Sequence, residues 1–286
     1  MIKINHLCFA YRKNKPVLND ITLELTGGFY ALVGKNGSGK STLMNLMTGS
    51  LKAPADSIAI DGVPVSEEAY ANKVSYLPQI FDPYPNLKVE EVLFFVAGLK
   101  GIAKKQIPET IKETAEKTNI TEYLTTRFGK CSEGTKRRVG IAAALLGNRE
   151  LIILDEPTAG LDPAERARFY ETVRRCFAGK TVLISTHILE DIEFLADWVL
   201  MLSGGDITYN GSYEEYCKVL NGRLYTACIP EEEKKGHKII GENRMADGRV
   251  ICRVVAETPL PAEWNPAAAE PTKEDVWNYF ERVYHE

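Results

Sequence analysis

Apolar runs and amphipathic stretches alternate along most of this 286-residue chain. The runs Phe29–Val33, Leu151–Leu154 and Thr181–Ser185 are apolar throughout their interiors, which is typical of parallel strands that are buried on both faces. Residues with helical spacing lie between these runs, such as Leu43 and Met47 after the first of them. This alternation predicts an α/β fold with a mainly parallel sheet that helices cover on both faces.

Two more strands are predicted before the first buried run. The segment Ile2–Phe9 alternates roughly between apolar and polar positions, and Val17–Leu25 has the pattern of a second strand. Between them, Tyr11–Pro16 is polar and contains a proline, so it predicts a turn. We therefore expect a small antiparallel β subdomain at the N-terminal end of the chain.

From Phe81 to about Gly147 the pattern becomes helical. Apolar residues recur with helical spacing between Val89 and Val96, and Pro108–Thr118 predicts a charged, exposed helix that starts on a proline. Ser132 is a natural N-cap for the buried helix that follows it. This segment is expected to form a helical subdomain over about residues 81–147.

The character of the chain changes after Gly222. Short strands are predicted at Arg223–Ile229 and Arg249–Val255, and four prolines between 259 and 271 mark a linker. Thr272–Tyr284 predicts a final helix whose apolar stripe is Val276, Phe280 and Val283. We expect a main domain over residues 1–222 and a small α+β accessory region over 223–286, which in the simplest interpretation only buttresses the core.

Composition narrows the class of protein. Lys and Arg total 35 and Asp and Glu total 39, for a net charge of −4, so general nucleic-acid binding is not expected. The six cysteines are dispersed and form no C-x-x-C pair, which favours reduced thiols over a disulfide framework or a zinc site. No apolar run approaches the length of a membrane span, and the first residues do not resemble a signal peptide. A cytoplasmic protein is expected.

The strongest candidate chemistry follows the first buried strand, where the sequence has the pattern G-x-x-x-x-G-K-S. Glycines allow successive backbone N–H groups to face an anion, and the following helix N-terminus favours negative charge. A lysine and a serine in this pattern supply a charge for the β- and γ-phosphates and a hydroxyl ligand for Mg²⁺. A chance glycine-rich turn is the alternative. The predicted triphosphate-binding residues are Gly34, Asn36, Gly37, Ser38, Gly39, Lys40, Ser41 and Thr42.

Two other residues are candidates from their positions alone. Asp155 closes the strand Leu151–Leu154 at its carboxyl end, where ligands of open α/β sheets gather. Tyr11 lies upstream of the phosphate loop (residues 34–42), and its ring could stack on a purine or pack on its own hairpin. The nearby loop favours the stacking role.

Taken in order, five segments resemble the motifs of the ATP-binding cassette (ABC) family of transporter ATPases, over roughly residues 1–222. These segments are Gly34–Thr42, Gln79, Ser132–Arg138, Leu151–Asp162 and His187. The fold that this resemblance implies is a P-loop NTPase with a mixed or parallel core sheet, an N-terminal antiparallel β subdomain and a helical signature subdomain. A small α+β C-terminal appendage would follow.

The resemblance also implies roles for individual residues. Asp155 would hold Mg²⁺ through water, together with the Ser41 hydroxyl. Glu156 would be the catalytic base that polarises the attacking water. His187 would contact the γ-phosphate. Gln79 would touch the metal or its water and would report to the transport partner.

The signature segment departs from the family pattern. The usual Leu-Ser-Gly-Gly-Gln is here Cys-Ser-Glu-Gly-Thr at residues 131–135. By resemblance, Ser132 and Gly134 would offer a hydroxyl and a backbone N–H to ATP held by the opposite subunit. Glu133 replaces a glycine, and its charge would repel a phosphate unless the side chain points away. Asp162 resembles a loop that communicates across a dimer, although it also suits a helix N-cap.

The function that the resemblance implies is that of an ATP- and Mg²⁺-dependent ATPase subunit that drives export through a membrane permease on a separate chain. It would work as an ATP-dependent homodimer or heterodimer of cassettes at the inner face of the cell membrane, with no nucleic-acid partner. Residues 81–98 would receive the permease, and the aromatics Phe81, Tyr84, Phe94 and Phe95 would line a groove or belong to the core. The alternatives are a soluble ATPase that remodels a protein or nucleic-acid complex, and a nucleotide-gated module with little turnover.

Overall fold

The computed structural model describes residues 1–13, 15–245 and 250–282. Its strands are β1 (Ile2–Arg12), β2 (Lys15–Leu25), β3 (Gly28–Val33), β4 (Ile58–Ile60), β5 (Val63–Pro64), β6 (Val74–Leu77), β7 (Leu151–Asp155), β8 (Thr181–Thr186), β9 (Trp198–Ser203), β10 (Asp206–Ser212), β11 (Leu224–Ala227), β12 (Lys238–Arg244), β13 (Val250–Val255) and β14 (Ala267–Ala268). Its α-helices are α1 (Lys40–Met47), α2 (Val89–Leu99), α3 (Ile107–Lys117), α4 (Glu133–Leu145), α5 (Pro163–Cys176), α6 (Leu189–Leu195), α7 (Tyr213–Lys218) and α8 (Lys273–Arg282).

A central sheet of six strands has the order β10-β9-β3-β8-β7-β6. All neighbouring pairs are parallel except β10 with β9. Successive residues of β7 enter two different apolar clusters: Leu151 and Ile153 pack with α1, whereas Ile152 and Leu154 pack with α4 and α5. A strand that is covered on both faces must be apolar at every position. The predicted mainly parallel α/β sheet is confirmed.

The N-terminal sheet is antiparallel, with the order β2-β1-β4-β5. The predicted turn at Tyr11–Pro16 is too long, because β1 continues to Arg12 and β2 begins at Lys15, with Ala10 opposite Pro16. The polar residues of this hairpin are exposed, so their side chains carry no apolar pattern that would mark them as strand. Proline is tolerated because β2 is an edge strand. Asn14 lies outside the described residues.

Helices α2, α3 and α4 pack around one apolar cluster that includes Val89, Ile111 and Phe128. Ser132 caps α4 as predicted: its Oγ accepts a hydrogen bond from the backbone N–H of Thr135 at 3.2 Å. The helical subdomain thus places the N-terminus of α4 at the protein surface, where Ser132 is exposed.

The C-terminal region forms a four-stranded sheet with the order β12-β13-β11-β14 and ends in α8. Strands β12 and β14 were not predicted, and β14 lies within the predicted linker because Ala267 and Ala268 pair with β11. Val276 and Phe280 of α8 are buried against Ala31 and Val33 of the central sheet, so this region packs directly on the core. Val283 and Tyr284, the rest of the predicted final helix, lie outside the described residues. The boundary at residue 222 stays a prediction. No helix in the described ranges is long and apolar enough to cross a membrane.

Candidate functional site

The phosphate loop connects the end of β3 to the start of α1. Gly34, Ser38 and Gly39 are buried, whereas residues 35–37 are exposed. Gly39 is the N-cap of α1 and has a φ of 111°, a value that L side chains rarely adopt. A Cβ at this position would also lie only 2.8 Å from Leu18 Cδ2. The loop therefore needs glycine at residue 39 for both backbone conformation and space.

Lys40 points into this loop rather than into solvent. Its Nζ donates to the carbonyl oxygens of Gly34 at 2.6 Å and Lys35 at 3.0 Å, and the residue is 6% exposed. Burial lowers the pKa of Lys40, and nearby Glu156 and Asp155 partly oppose this by raising it. The ammonium group is thus placed between the loop and two carboxylates, where a phosphate could replace its backbone acceptors.

The remaining loop residues present hydroxyl groups. The Ser38 Oγ is buried and has no hydrogen-bond partner among the described residues, an arrangement that suggests an unfilled ligand contact. Ser41 is exposed, and Thr42 Oγ1 lies 3.2 Å from Tyr11 Oη. Asn36 and Gly37 lie exposed at the tip of the loop.

Tyr11 has contacts that suit both of its predicted roles. The residue is 60% exposed, and the edge-to-face partner of its ring is Phe9 of the same hairpin, with ring centroids 5.1 Å apart. The hydroxyl reaches Thr42 of α1. Tyr11 therefore lies beside the phosphate loop with much of its ring uncovered, and stacking on a purine stays a prediction.

Asp155 is held by residues from the two strands that flank β7. Ser185 Oγ donates to Asp155 Oδ1 at 2.6 Å, and Tyr76 Oη donates to Oδ2 at 3.2 Å. Burial, and secondarily Asp155, raise the pKa of Tyr76 to about 12, so the phenol stays protonated and can donate. No role was predicted for Tyr76 and Ser185 from the sequence. Their positions near the carboxyl ends of β6 and β8 were the feature that could have indicated one.

Glu156 brings together the two other predicted catalytic residues. Gln79 Nε2 donates to Glu156 Oε2 at 3.0 Å, and His187 Nδ1 lies 3.4 Å from Oε1. The backbone of Glu156 has a φ of 42° and donates its N–H to Ser185 Oγ at 2.8 Å. A non-glycine residue in this left-handed region is strained and is often found at a functional site. The cluster can hold a water or phosphate group beside the partly buried Glu156 carboxylate.

A buried carboxylate that was not predicted supports this cluster from behind. Asp191 accepts hydrogen bonds from Thr158 Oγ1 at 2.6 Å, Thr186 Oγ1 at 2.5 Å and Tyr170 Oη at 2.6 Å. Thr158 follows Glu156 by two residues and Thr186 precedes His187. Asp191 is 1% exposed, so these charge-assisted bonds act without competition from water. They fix the two loops that carry Glu156 and His187.

We expect the Asp191→Asn substitution to lower the free energy of unfolding by about 2 kcal/mol, because three hydroxyl donors lose a charged acceptor. Urea denaturation measures this change. The matched control is Glu190→Gln, which alters an exposed neighbour and should change stability by less than about 0.5 kcal/mol. Equal stabilities of the two variants would contradict the role assigned to Asp191.

The signature segment lies on the first turn of α4. A Cβ at Gly134 would lie 2.4 Å from Glu165 Oε1, so a larger residue there would have to displace the carboxylate end of the Glu165 side chain on α5. Glu133 is exposed and pairs with Lys136 at 2.8 Å, and this pairing holds its carboxylate along the helix.

Arg137 is another residue with no role assigned from the sequence. It donates hydrogen bonds to the carbonyl oxygens of Gln79 at 2.6 Å and Ala159 at 3.3 Å.

The structure divides the predicted residues into two groups. The loop, Asp155, Glu156, Gln79 and His187 converge on one edge of the central sheet, as the contacts above show. Ser132 instead bonds to Thr135 of its own helix. Asp162 Oδ1 accepts from the backbone N–H of Glu165 at 2.8 Å and caps α5, so its interpretation as an N-cap is confirmed.

A family model described as ABC transporter matches residues 18–159 of this chain. The chain is 32% identical over 232 residues to the uncharacterized ABC transporter ATP-binding protein YxlF of Bacillus subtilis (strain 168), which covers 81% of this chain and 78% of that protein. It is 31% identical over 226 residues to the linearmycin resistance ATP-binding protein LnrL of the same organism, which covers 78% and 72%.

Among solved structures, cbiO1 of Clostridium perfringens, described as part of the ABC transporter complex cbiONQ, is similar to this chain with a TM-score of 0.66 and 25% sequence identity. The similarity covers 75% of this chain and 89% of that one.

Proposed function

Because this chain belongs to the ABC transporter family, as an ATP-hydrolysing subunit that energises a membrane permease, we propose specific roles for its residues and export as its direction of transport. The observation that carries the site assignment is the cluster of Gln79, Glu156 and His187 beside the loop that holds Lys40. Export is supported by the similarity to LnrL, a resistance protein by name.

In this proposal the phosphate loop binds the triphosphate. Lys40 exchanges its two backbone acceptors for the β- and γ-phosphates, and the unpartnered Ser38 hydroxyl donates to an adjacent phosphate oxygen. The N–H groups at the start of α1 add a favourable dipole. Tyr11, a residue that is 60% exposed, stacks its ring on the base.

The oxygen donors near the loop suit Mg²⁺. Ser41 is exposed at the start of α1, and Asp155 presents a carboxylate; hydroxyl and carboxylate oxygens are the ligands that this ion prefers. The described residues include no group of three or more His, Cys, Asp or Glu side chains that could hold a metal, which is consistent with an ion held mainly by phosphates and water. When bound, Mg²⁺ would neutralise charge on the phosphates.

Glu156 is the proposed catalytic base. Its carboxylate is held from two sides, by Gln79 at Oε2 and His187 at Oε1, so it can orient a water for in-line attack without first losing rotamer freedom. His187 is half exposed and can turn to the γ-phosphate. Because phosphoryl transfer depends on position and charge more than on covalent help, one oriented carboxylate is sufficient.

A second copy or a related cassette is proposed to complete the site. Ser132 and Glu133 are exposed at the N-terminus of α4, and a helix N-terminus attracts an anion. Glu133 is paired with Lys136, so the departure from the usual signature leaves this surface available to a phosphate. We propose an ATP-dependent dimer in which Asp162 lies at the junction.

The permease is proposed to dock on an exposed apolar surface next to Gln79. The docking surface consists of Ile80, Tyr84, Phe94, Phe95 and Leu99, whose exposed fractions range from 42% to 80%. Phe81 does not belong to it, because its ring packs edge-to-face on the buried Phe128 with a centroid distance of 5.9 Å. Arg137 joins this surface to the signature helix through the carbonyl of Gln79.

Co-purification tests this function. The tagged chain should isolate a polytopic membrane protein from detergent-solubilised membranes, and Phe95→Asp should reduce the recovered amount by about tenfold while basal ATP hydrolysis persists, since central apolar contacts dominate interfaces. Phe194→Asp is the matched control, because Phe194 is 55% exposed on a different face and Phe95 is 52% exposed. Recovery of a ribosomal or DNA complex without a membrane protein would favour a soluble remodelling ATPase instead.

A further inference from the structure

The last helix ends against the phosphate loop. Lys35 Nζ lies 3.1 Å from Glu281 Oε2 and donates a hydrogen bond to the Glu281 backbone oxygen at 3.0 Å. Glu281 lies in the last turn of α8 as described (Lys273–Arg282), so these two contacts join the phosphate loop to the C-terminal part of this helix. Lys35 therefore contacts both the side chain and the backbone of Glu281.

The Glu281 carboxylate is unusual in its burial. Its side chain is 4% exposed, and Oε1 has no hydrogen-bond partner among the described residues. Burial of a charge with an unpaired oxygen costs free energy. Packing does not require an acid at this position, because Val276 and Phe280 provide the apolar anchor of α8. The buried position of the Glu281 carboxylate therefore indicates a function at the phosphate loop.

The same carboxylate also acts on the lysine that faces the phosphates. Glu281 is one of three carboxylates that raise the pKa of Lys40 against the lowering effect of burial, the others being Glu156 and Asp155. It is therefore within Coulomb range of the loop interior. A triphosphate would meet this negative charge and would compete with it for Lys35 and Lys40.

Two further ion pairs connect α8 to other parts of the chain. Arg253 of β13 binds Asp275 through both carboxylate oxygens, at 2.5 Å and 2.6 Å. Lys273 pairs with Glu193 of α6, the helix that follows His187. Helix α8 thus joins the accessory sheet, α6 and the phosphate loop.

We propose that Glu281 is a positioning residue of the nucleotide site, through which α8 opposes triphosphate binding and is itself loosened when a triphosphate binds. The inference rests on the proposed role of the phosphate loop. It gives the accessory region a regulatory function in place of simple buttressing. Binding linkage is reciprocal. If ATP shifts α8 towards a loosened state by a given factor, then the loosened state binds ATP more tightly than the packed state by the same factor.

The test compares nucleotide affinities of Glu281→Gln and wild type by calorimetry. Removal of the charge should lower the Kd of ATP by about five- to tenfold, with a smaller change for ADP and a smaller one still for AMP, since the repelled charge decreases in that order. Glu274→Gln, an exposed acid in the first turn of α8, is the matched control and should leave all three constants unchanged. A merely structural role would not produce this dependence on phosphate number.

Two more measurements complete the test. Lys35→Gln should weaken ATP binding less in the wild-type background than in Glu281→Gln, because in wild type Lys35 must first leave Glu281 before it can contact a phosphate. Hydrogen exchange of α8 should become faster when ATP is added to wild type. Any one of three results would overturn the proposal. The first is that the ATP affinities of Glu281→Gln and wild type lie within about twofold of each other. The others are that the Lys35 and Glu281 substitutions have additive effects on ATP affinity, or that hydrogen exchange of α8 becomes slower when ATP is added. Failure of wild type to bind ATP would instead refute the loop assignment on which it rests.

Discussion

Glu156→Gln is expected to reduce steady-state phosphate release by about a thousandfold while ATP affinity changes little. The substitution keeps the shape of the side chain and its contact with Gln79, but it removes the carboxylate that would accept a proton from the attacking water. The strained backbone at residue 156, with φ of 42°, is retained because it is fixed by Ser185 and not by the side chain.

The same variant should accumulate a dimer when ATP and Mg²⁺ are saturating, because the ATP that bridges the two copies is no longer hydrolysed. Light scattering measures the mass. Glu171→Gln, which neutralises an exposed acid on α5, is the control for charge and should hydrolyse ATP at the wild-type rate. A Glu156→Gln variant that stays monomeric under these conditions would count against the proposed dimer, and unchanged turnover would exclude Glu156 as the base.

Lys40→Met is expected to weaken ATP binding by at least about a hundredfold. Two charge-assisted hydrogen bonds to phosphate oxygens are lost, each worth about 1.5–3 kcal/mol, and each 1.4 kcal/mol corresponds to about a tenfold change in affinity. Methionine keeps the apolar stem of this buried residue, so the fold should persist. Filter binding with radiolabelled ATP measures the effect.

The control for Lys40→Met is Lys52→Met, because Lys52 is an exposed lysine outside the phosphate loop. It changes net charge by the same amount and should bind ATP with wild-type affinity. If Lys40→Met retained its affinity for ATP, the assignment of the phosphate loop would be wrong. Together, Lys40→Met and Glu156→Gln separate ATP binding from ATP hydrolysis. Lys40→Met should impair both, whereas Glu156→Gln should impair only hydrolysis.

Three strands of the central sheet were predicted because burial on both faces leaves an unbroken apolar run, whereas β9 and β10 of the same sheet were not predicted. β3, β7 and β8 were each predicted to within about one residue of the observed ends. β12 was not, because Lys238–Arg244 is mostly polar, with one fully buried residue. A half-exposed strand of this kind is defined by its backbone pairing with the next strand, β13, and backbone hydrogen bonds leave no pattern in the side chains.

The sequence alone determined the chemistry of local motifs: a glycine loop before a helix, an N-capping serine at residue 132, and an acid at the end of an apolar strand. These depend on neighbours within a few residues, where backbone geometry follows directly from residue type. Tertiary structure decided which distant groups meet. Strand order β8-β7-β6 places Ser185 and Tyr76 on Asp155, and the packing of α8 on the core places Glu281 on Lys35. Such contacts follow from burial of apolar faces across the whole chain, which no local pattern encodes.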